Sequence, residues 1–167
     1  MPVLVRKVNP TLWQELDIIG GNDVSADTIT NCIKTSDNTL SVWEVDSIES
    51  VGEGVLAIIS NYKKLETIHI IGLPKDELEQ QSIDIDPEEG TTPVKSLVNT
   101  HQNLAKLTYT KLGVIANCIV NQFRLENLFT YTIEEEIALL WEAIGTNRLE
   151  LKNLKPEVQK QLNQAKQ

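Results

Sequence analysis

The chain has 167 residues and 18.7 kDa, with 41% apolar and 23% charged side chains, 8 glycines and 6 prolines, the composition of an ordinary globular domain. That excludes a collagen repeat, a disulfide scaffold and whole-chain disorder, and no apolar run approaches the roughly 20 residues that span a bilayer. Fifteen Lys plus Arg against 24 Asp plus Glu give a net charge of −9, which disfavours direct contact with free nucleic acid.

In chain order, the β-branched run Val3 to Val8 predicts a strand, and Asn9-Pro10 an N-cap followed by proline at the first helical position. A short helix through Leu12, Trp13 and Leu16 is expected to end at Gly20-Gly21-Asn22-Asp23. Ser25 can then cap a helical segment carrying Ile29, Cys32 and Ile33. The turn formers Ser36-Asp37-Asn38 precede a clearer strand over Leu40 to Val45. Asp46 and Glu49 match a capping box, predicting a helix whose buried stripe is Ile48, Val51, Val55, Ile58, Ile59 and Tyr62, with Lys63 and Lys64 closing it against the dipole. Thr67 to Ile71 reads as a third strand, interrupted by His69. Residues 40 to 72 thus form a strand, helix, strand unit of crossover length, right-handed if its strands are parallel.

From Asp76 to Glu89 there are seven carboxylates and no Lys or Arg, with turn chemistry at Asp86-Pro87 and again from Gly90 to Pro93. This predicts an acidic connector that opens with a short helix. Beyond it, Val94, Leu97, His101, Leu104, Thr108, Leu112, Ile115, Ile119 and Phe123 recur at a mean step near 3.6, predicting a long helix in which Gly113 marks a break or a close crossing. Thr132 and Glu135 form a second capping box, opening a helix with Ile133, Ile137, Leu140, Trp141 and Ile144 inward until Gly145, and Pro156 starts a tail helix. The expected fold is α+β and helix-rich. It has a small sheet of about three strands near residues 3–8, 40–45 and 67–71, covered by helices and followed by a long helical C-terminal half. The expected parts are an α/β portion 1–74, an acidic connector 75–93 and a helical portion 94–167, packed as one compact unit.

Few residue patterns point to chemistry. Gly52-Glu53-Gly54 lies inside a predicted helix, where phosphate could not reach the backbone amides, so it is read as helix packing. Asp84, Asp86 and Glu88 alternate as the first ligands of a calcium loop do, but Glu89 and Lys95 stand where that loop needs glycine and glutamate. His69 and His101 lack a metal-binding companion at three to five residues and are expected as hydrogen-bonded core imidazoles. No Gly-x-Ser-x-Gly elbow is present, and Glu150-Leu151-Lys152 lacks the Pro-Asp partner of the nuclease motif it resembles. Cys32 and Cys118 sit outside any CxxC or Cys/His cluster and are expected as reduced core thiols. The opening Met-Pro-Val-Leu-Val-Arg-Lys reverses the charge order of a secretory leader, so a cytoplasmic location is expected.

The charge imbalance is uneven: residues 1 to 90 hold 6 basic and 17 acidic side chains, and residues 91 to 167 hold 9 and 7. The leading expectation is therefore a non-enzymatic protein–protein interaction module, inhibitor-like or immunity-like, that docks a basic protein through Asp76, Glu77, Glu79, Asp84, Asp86, Glu88 and Glu89. A first alternative is a small metal-assisted hydrolase with Glu44, Asp46 and Glu66 as weak catalytic candidates at strand ends. A second is a homo-oligomeric structural protein associating through the apolar stripe from Val94 to Phe123. No resident cofactor or metal, no direct nucleic-acid contact and no membrane contact are expected.

Overall fold

Alternation at a period of two puts Val3 and Val5 on one face of β1 (Val3–Val8) and Leu4 and Val8 on the other, and all four are buried. A strand buried on both faces belongs at the centre of a sheet covered from both sides. The computed structural model, which describes residues 1–13 and 24–165, gives β1 that place. It pairs antiparallel with β2 (Leu40–Val45) and with β3 (Ile68–Pro74). Outside β2 lie β5 (His101–Ala105) and the edge strand β4 (Asp84–Pro87); outside β3 lies β6 (Leu128–Tyr131). The order is β4-β5-β2-β1-β3-β6, with every neighbour antiparallel.

Helices cover both faces. Against Val3, Val5, Ile68 and Ile70 pack α2 (Val51–Ile59), α5 (Ile133–Gly145) and α6 (Pro156–Gln164). Against Leu4, Val8, Val42 and Ile71 pack α1 (Ala26–Cys32), α3 (Lys75–Gln80) and α4 (Tyr109–Arg124). Gly54 lets α2 lie directly on β1: a Cβ there would stand 2.7 Å from Val5 Cβ, closer than side chains pack. No helix among the described residues is long and apolar enough to cross a membrane.

The sheet therefore has six strands, not three, and the second half is not one long helical region. Three segments carry the difference. The acidic connector is ordered structure: α3 is anchored by Leu78, and Asp84–Pro87 forms the edge strand β4 rather than a loop. An edge strand needs only one apolar side, so a single Ile85 among carboxylates suffices, and pattern alone cannot tell it from a solvated loop. The supposed stripe from Val94 crosses three elements. Val94 and Leu97 pack on one face of the sheet and Leu104 on the other, with a 3-10 turn (Lys95–Thr100) leading into β5. Thr108, counted in that stripe, is the N-cap of α4, its hydroxyl accepting from the Lys111 amide at 3.3 Å. Gly113 lies within α4, and Leu128–Tyr131, between two helices, is β6. The sheet draws β1 to β3 from residues 1–74, β4 from 75–93, and β5 and β6 from 94–167.

Elsewhere some local signals lead to the elements they predict and others do not. Ser25 caps α1, and Thr132 with Glu135 completes a reciprocal capping box on α5. Asp37 and Asn38 hold φ of 51° and 58° in a tight turn closed between Ser36 and Thr39 before β2. Proline opens a 3-10 turn, Pro10–Trp13, while Leu16 and the Gly20-Gly21-Asn22-Asp23 turn fall outside the described residues. Asp46 does not cap. Ser47 precedes a 3-10 turn, Ile48–Ser50, and α2 begins only at Val51. Strands β2 and β3 are parallel to one another but not neighbours, because β1 lies between them; the unit across residues 40 to 72 is a split crossover.

Candidate functional site

One end of the sheet gathers the start of β1 with the finish of β2, β3 and β4. A cavity of about 430 Å³ opens there, its polar lining drawn from Glu44, Asp46, Ser50, Glu53, Thr100 and Arg148. The fold brings these residues from four places. Glu44 and Asp46 flank Val45, the last residue of β2, Glu53 sits in the first turn of α2, Thr100 ends the 3-10 turn before β5, and Arg148 follows α5.

Two of the three carboxylates already hold a cation. Lys75 Nζ donates to Glu44 Oε1 and Oε2 at 2.9 and 3.0 Å. Arg148 grips Glu53 with both guanidinium nitrogens, Nη1 donating to Oε1 at 2.9 Å and Nη2 to Oε2. The Glu53 carboxylate holds the Arg148 guanidinium above its ordinary pKa. Asp46 is exposed and, among the described residues, has no ion-pair partner. The wall thus offers one uncompensated carboxylate between two compensated ones.

Glu44 and Asp46 share this cavity, but Glu66 does not. It pairs with Lys7 at 2.8 Å, and Lys7 stands three positions along β1 from Leu4, the partner of Glu44, about 10 Å at strand rise and on the opposite face. The three carboxylates suggested for metal-assisted hydrolysis are therefore not assembled into one site. Among the described residues no group of three His, Cys, Asp or Glu side chains is placed to hold a metal ion.

The acidic segment divides along the same axis. Asp76, Glu77, Glu79, Asp86 and Glu89 make no ion pair among the described residues. Asp84, at the other end of β4, is taken by Lys111 at 2.6 Å and Lys106 at 3.5 Å, which hold its carboxyl below the ordinary range. Glu88 accepts a hydrogen bond from the Asn103 amide, and its backbone N–H donates to His101 O at 3.4 Å. Gly90 pins the segment to the sheet: its N–H donates to Val98 O at 2.8 Å, and a Cβ there would lie 2.4 Å from the Trp43 ring. As a result Asp76, at the start of α3, and Glu88 and Glu89, past β4, share the cavity end with Glu44 and Asp46.

Of the residues expected in the core, His101 and both cysteines are buried, whereas His69 is only half-buried. His101 is buried on β5 rather than on a helix, its ring 5.1 Å from that of Trp43 and its Nδ1 3.2 Å from Glu88 O. His69 Nδ1 lies 3.0 Å from Thr130 Oγ1 across β3 and β6. Trp13 Nε1 donates to the buried Cys32 Sγ at 3.2 Å, and burial pushes the Cys118 thiol up to about 12, so Cys118 offers no ready thiolate.

Sequence reasoning missed Glu53, Lys75 and Arg148, whose role comes only from tertiary pairing. It also missed Glu136, which has no exposed surface. A signal for Glu136 existed: Glu136, Leu140 and Ala143 form the fully buried line of α5, while Ile137 and Trp141 are half-buried beside it. No protein-family model matches this chain, and no curated protein or solved structure matches it significantly.

Proposed function

We propose that this protein is a non-enzymatic binding module for a basic protein partner, of the inhibitor or immunity type, acting in the cytoplasm. The observation that supports it most is the cavity wall, where Glu44 and Glu53 each hold a cation and Asp46 stands open beside them. A lysine or arginine presented by a partner would complete the same pairing at Asp46, while Asp76, Glu88 and Glu89 around that end add long-range attraction. Asp84 leaves the proposed docking set, since Lys106 and Lys111 already neutralise it. The exposed Asp86 and Glu79 and the half-buried Glu77 stay as outlying charge.

The test is co-purification from the native cell at low salt, then titration of the isolated partner against the full chain and against Asp46→Asn and a triple Asp76→Asn, Glu88→Gln, Glu89→Gln variant. The reading expects affinity to fall as salt rises, the triple variant to lose most of that salt dependence, and Asp46→Asn to weaken binding several-fold. Salt-independent affinity, or variants that bind as the parent does, would overturn it.

Metal-assisted hydrolysis rests on Glu44 and Asp46 alone once Glu66 is set apart, and a thermal shift with magnesium, manganese or calcium would revive it. Self-association loses the surface first suggested for it, because Val94, Leu97, Leu104, Ile115 and Ile119 are all buried within the chain.

A further inference from the structure

At the far end of the sheet, where β1 finishes, three buried oxygens make no close hydrogen bond among the described residues, both carboxyl oxygens of Glu136 and the hydroxyl of Tyr62, and the donors that act on them are the Lys7 ammonium at Tyr62 and the Glu66 backbone N–H at Glu136. Buried polar atoms are normally well satisfied, so three weakly held oxygens in one place call for a cause. The cation beside them is Lys7. Its Nζ lies 5.0 Å from the centre of the Tyr62 ring and 2.8 Å from Glu66 Oε1. Four segments converge here: β1 brings Lys7, the turn after α2 brings Tyr62, the approach to β3 brings Glu66, and α5 brings Glu136.

A fully buried carboxylate without an ion-pair partner is strongly disfavoured as the anion, so the folded chain favours Glu136 as the neutral acid. Burial pushes its carboxyl up to about 8, the Lys7 ammonium and the Glu66 backbone N–H pulling against that shift and the Glu66 carboxylate adding to it. Burial likewise raises the Tyr62 hydroxyl, against a hydrogen bond from Lys7 and its charge. Lys64 acts on Glu66 from the solvent side. On α5 itself, Glu134 is exposed and Glu135 is spent on the Thr132 cap, with Tyr131 feeling the Glu135 charge.

Lys7 is suited to change partners. Its pair with Glu66 leaves the two side chains 43% and 64% exposed, a setting in which ion pairs contribute little, and its ammonium sits on a flexible stem. A pair with Glu136 would form away from water, where the same attraction is stronger.

We propose that the seam between α5 and the end of β1 is a proton-operated switch, in which Glu66 holds Lys7 while Glu136 is neutral and Lys7 passes to Glu136 when that carboxyl ionises. One proton leaves the Glu136 O–H for solvent, one ion pair is exchanged for another, and no other covalent bond changes. The exchange ties α5 to the central strand by charge above the transition and by apolar packing alone below it.

The test is a pH titration of the full chain by NMR, following the side-chain carboxyl carbons of Glu66 and Glu136 and the Nζ of Lys7 from pH 5 to 10. The switch expects one midpoint well above the ordinary carboxylate range, shared by all three groups and absent in Glu136→Gln. Glu66→Gln, an exposed change that frees Lys7 and removes a like charge, should lower the Glu136 midpoint by at least half a unit. Lys7→Met should raise it. A Glu136 that titrates with the ordinary carboxylates, Lys7 and Glu66 signals that do not move at its midpoint, or a midpoint unmoved in Glu66→Gln would each overturn the proposal.

Discussion

The two ends of this sheet use the same residue type in opposite ways. At the cavity end, Glu44 and Glu53 are part-exposed and each carries a cation, and Asp46 is open to water. At the far end, Glu136 is sealed from solvent with no close hydrogen bond and no ion pair to either oxygen, while Lys7 is committed to Glu66. A glutamate is a charge in the first setting and a neutral acid in the second, so counting carboxylates in the sequence overstates the field at one end and misses a proton store at the other. Helices α2 and α5 span both ends. Glu53 opens α2 and Tyr62 follows it; Glu136 lies in the first turns of α5 and Arg148 beyond its last.

The strongest way to break the comparison is therefore to lift α2 off the sheet. Gly54→Leu would drive a side chain into Val5, whose Cβ and both methyls already lie within 2.8 Å of where a Cβ would stand. The branched Val5 side chain cannot fold aside. Overpacking of this kind is expected to cost about 4 kcal/mol or more, at the upper edge of such substitutions, and to unfold both ends together. Urea denaturation followed by tryptophan fluorescence and by circular dichroism checks it; a loss under 1 kcal/mol would mean that α2 can ride up on the sheet without penalty.

A finer instrument is the pH dependence of stability, which isolates the far end. The unfolded chain releases the Glu136 proton near the ordinary value of 4.5, whereas the folded chain keeps it to about 8. Between those values the unfolded state binds fewer protons, so the contribution of Glu136 makes stability fall as pH rises, and the fall levels off above the folded value. Glu136→Gln should remove that component. Its stability is expected to lie close to the parent's at pH 5 and to gain on it by about 4 kcal/mol between pH 5 and pH 9. Urea midpoints at pH 5, 7 and 9 measure this directly, and parallel pH profiles for the two proteins would show that the carboxyl is charged in the fold.

How far the sequence discloses this arrangement varies by element, for physical reasons. Strands β1, β2 and β3 are legible because each is buried on both faces or alternates cleanly, and α5 because its capping box is complete. Strand β5 is hidden because His101 and Gln102 are buried polar residues whose burial depends on neighbours, Trp43 among them, distant in the chain. Its Leu104 falls by coincidence into a helical spacing with Val94 and Leu97 from the opposite face. At the cavity, the segment's acidity is visible but its pairing is not. Nothing near Asp84 in the chain announces Lys106 and Lys111, and Glu53 meets Arg148 from 95 residues away.

The smallest expected effect sharpens the cavity end. Glu53 and Arg148 form a two-pronged pair with side chains 42% and 34% exposed, so solvent screens it and its worth to folding is about 0.5 to 1 kcal/mol. A double-mutant cycle of Glu53→Gln and Arg148→Met should return that coupling, and it should shrink in high salt. Binding gives the same pair a second, asymmetric readout. If the cavity receives a cation, Arg148→Met removes a competitor and leaves Glu53 open, tightening the basic partner, whereas Glu53→Gln leaves Arg148 unpaired and repels it. Stability treats the two changes nearly alike because each breaks the same contact. Opposite effects on affinity with matched effects on folding would therefore separate a docking site for positive charge from a surface pair that only holds α2 to the chain beyond α5.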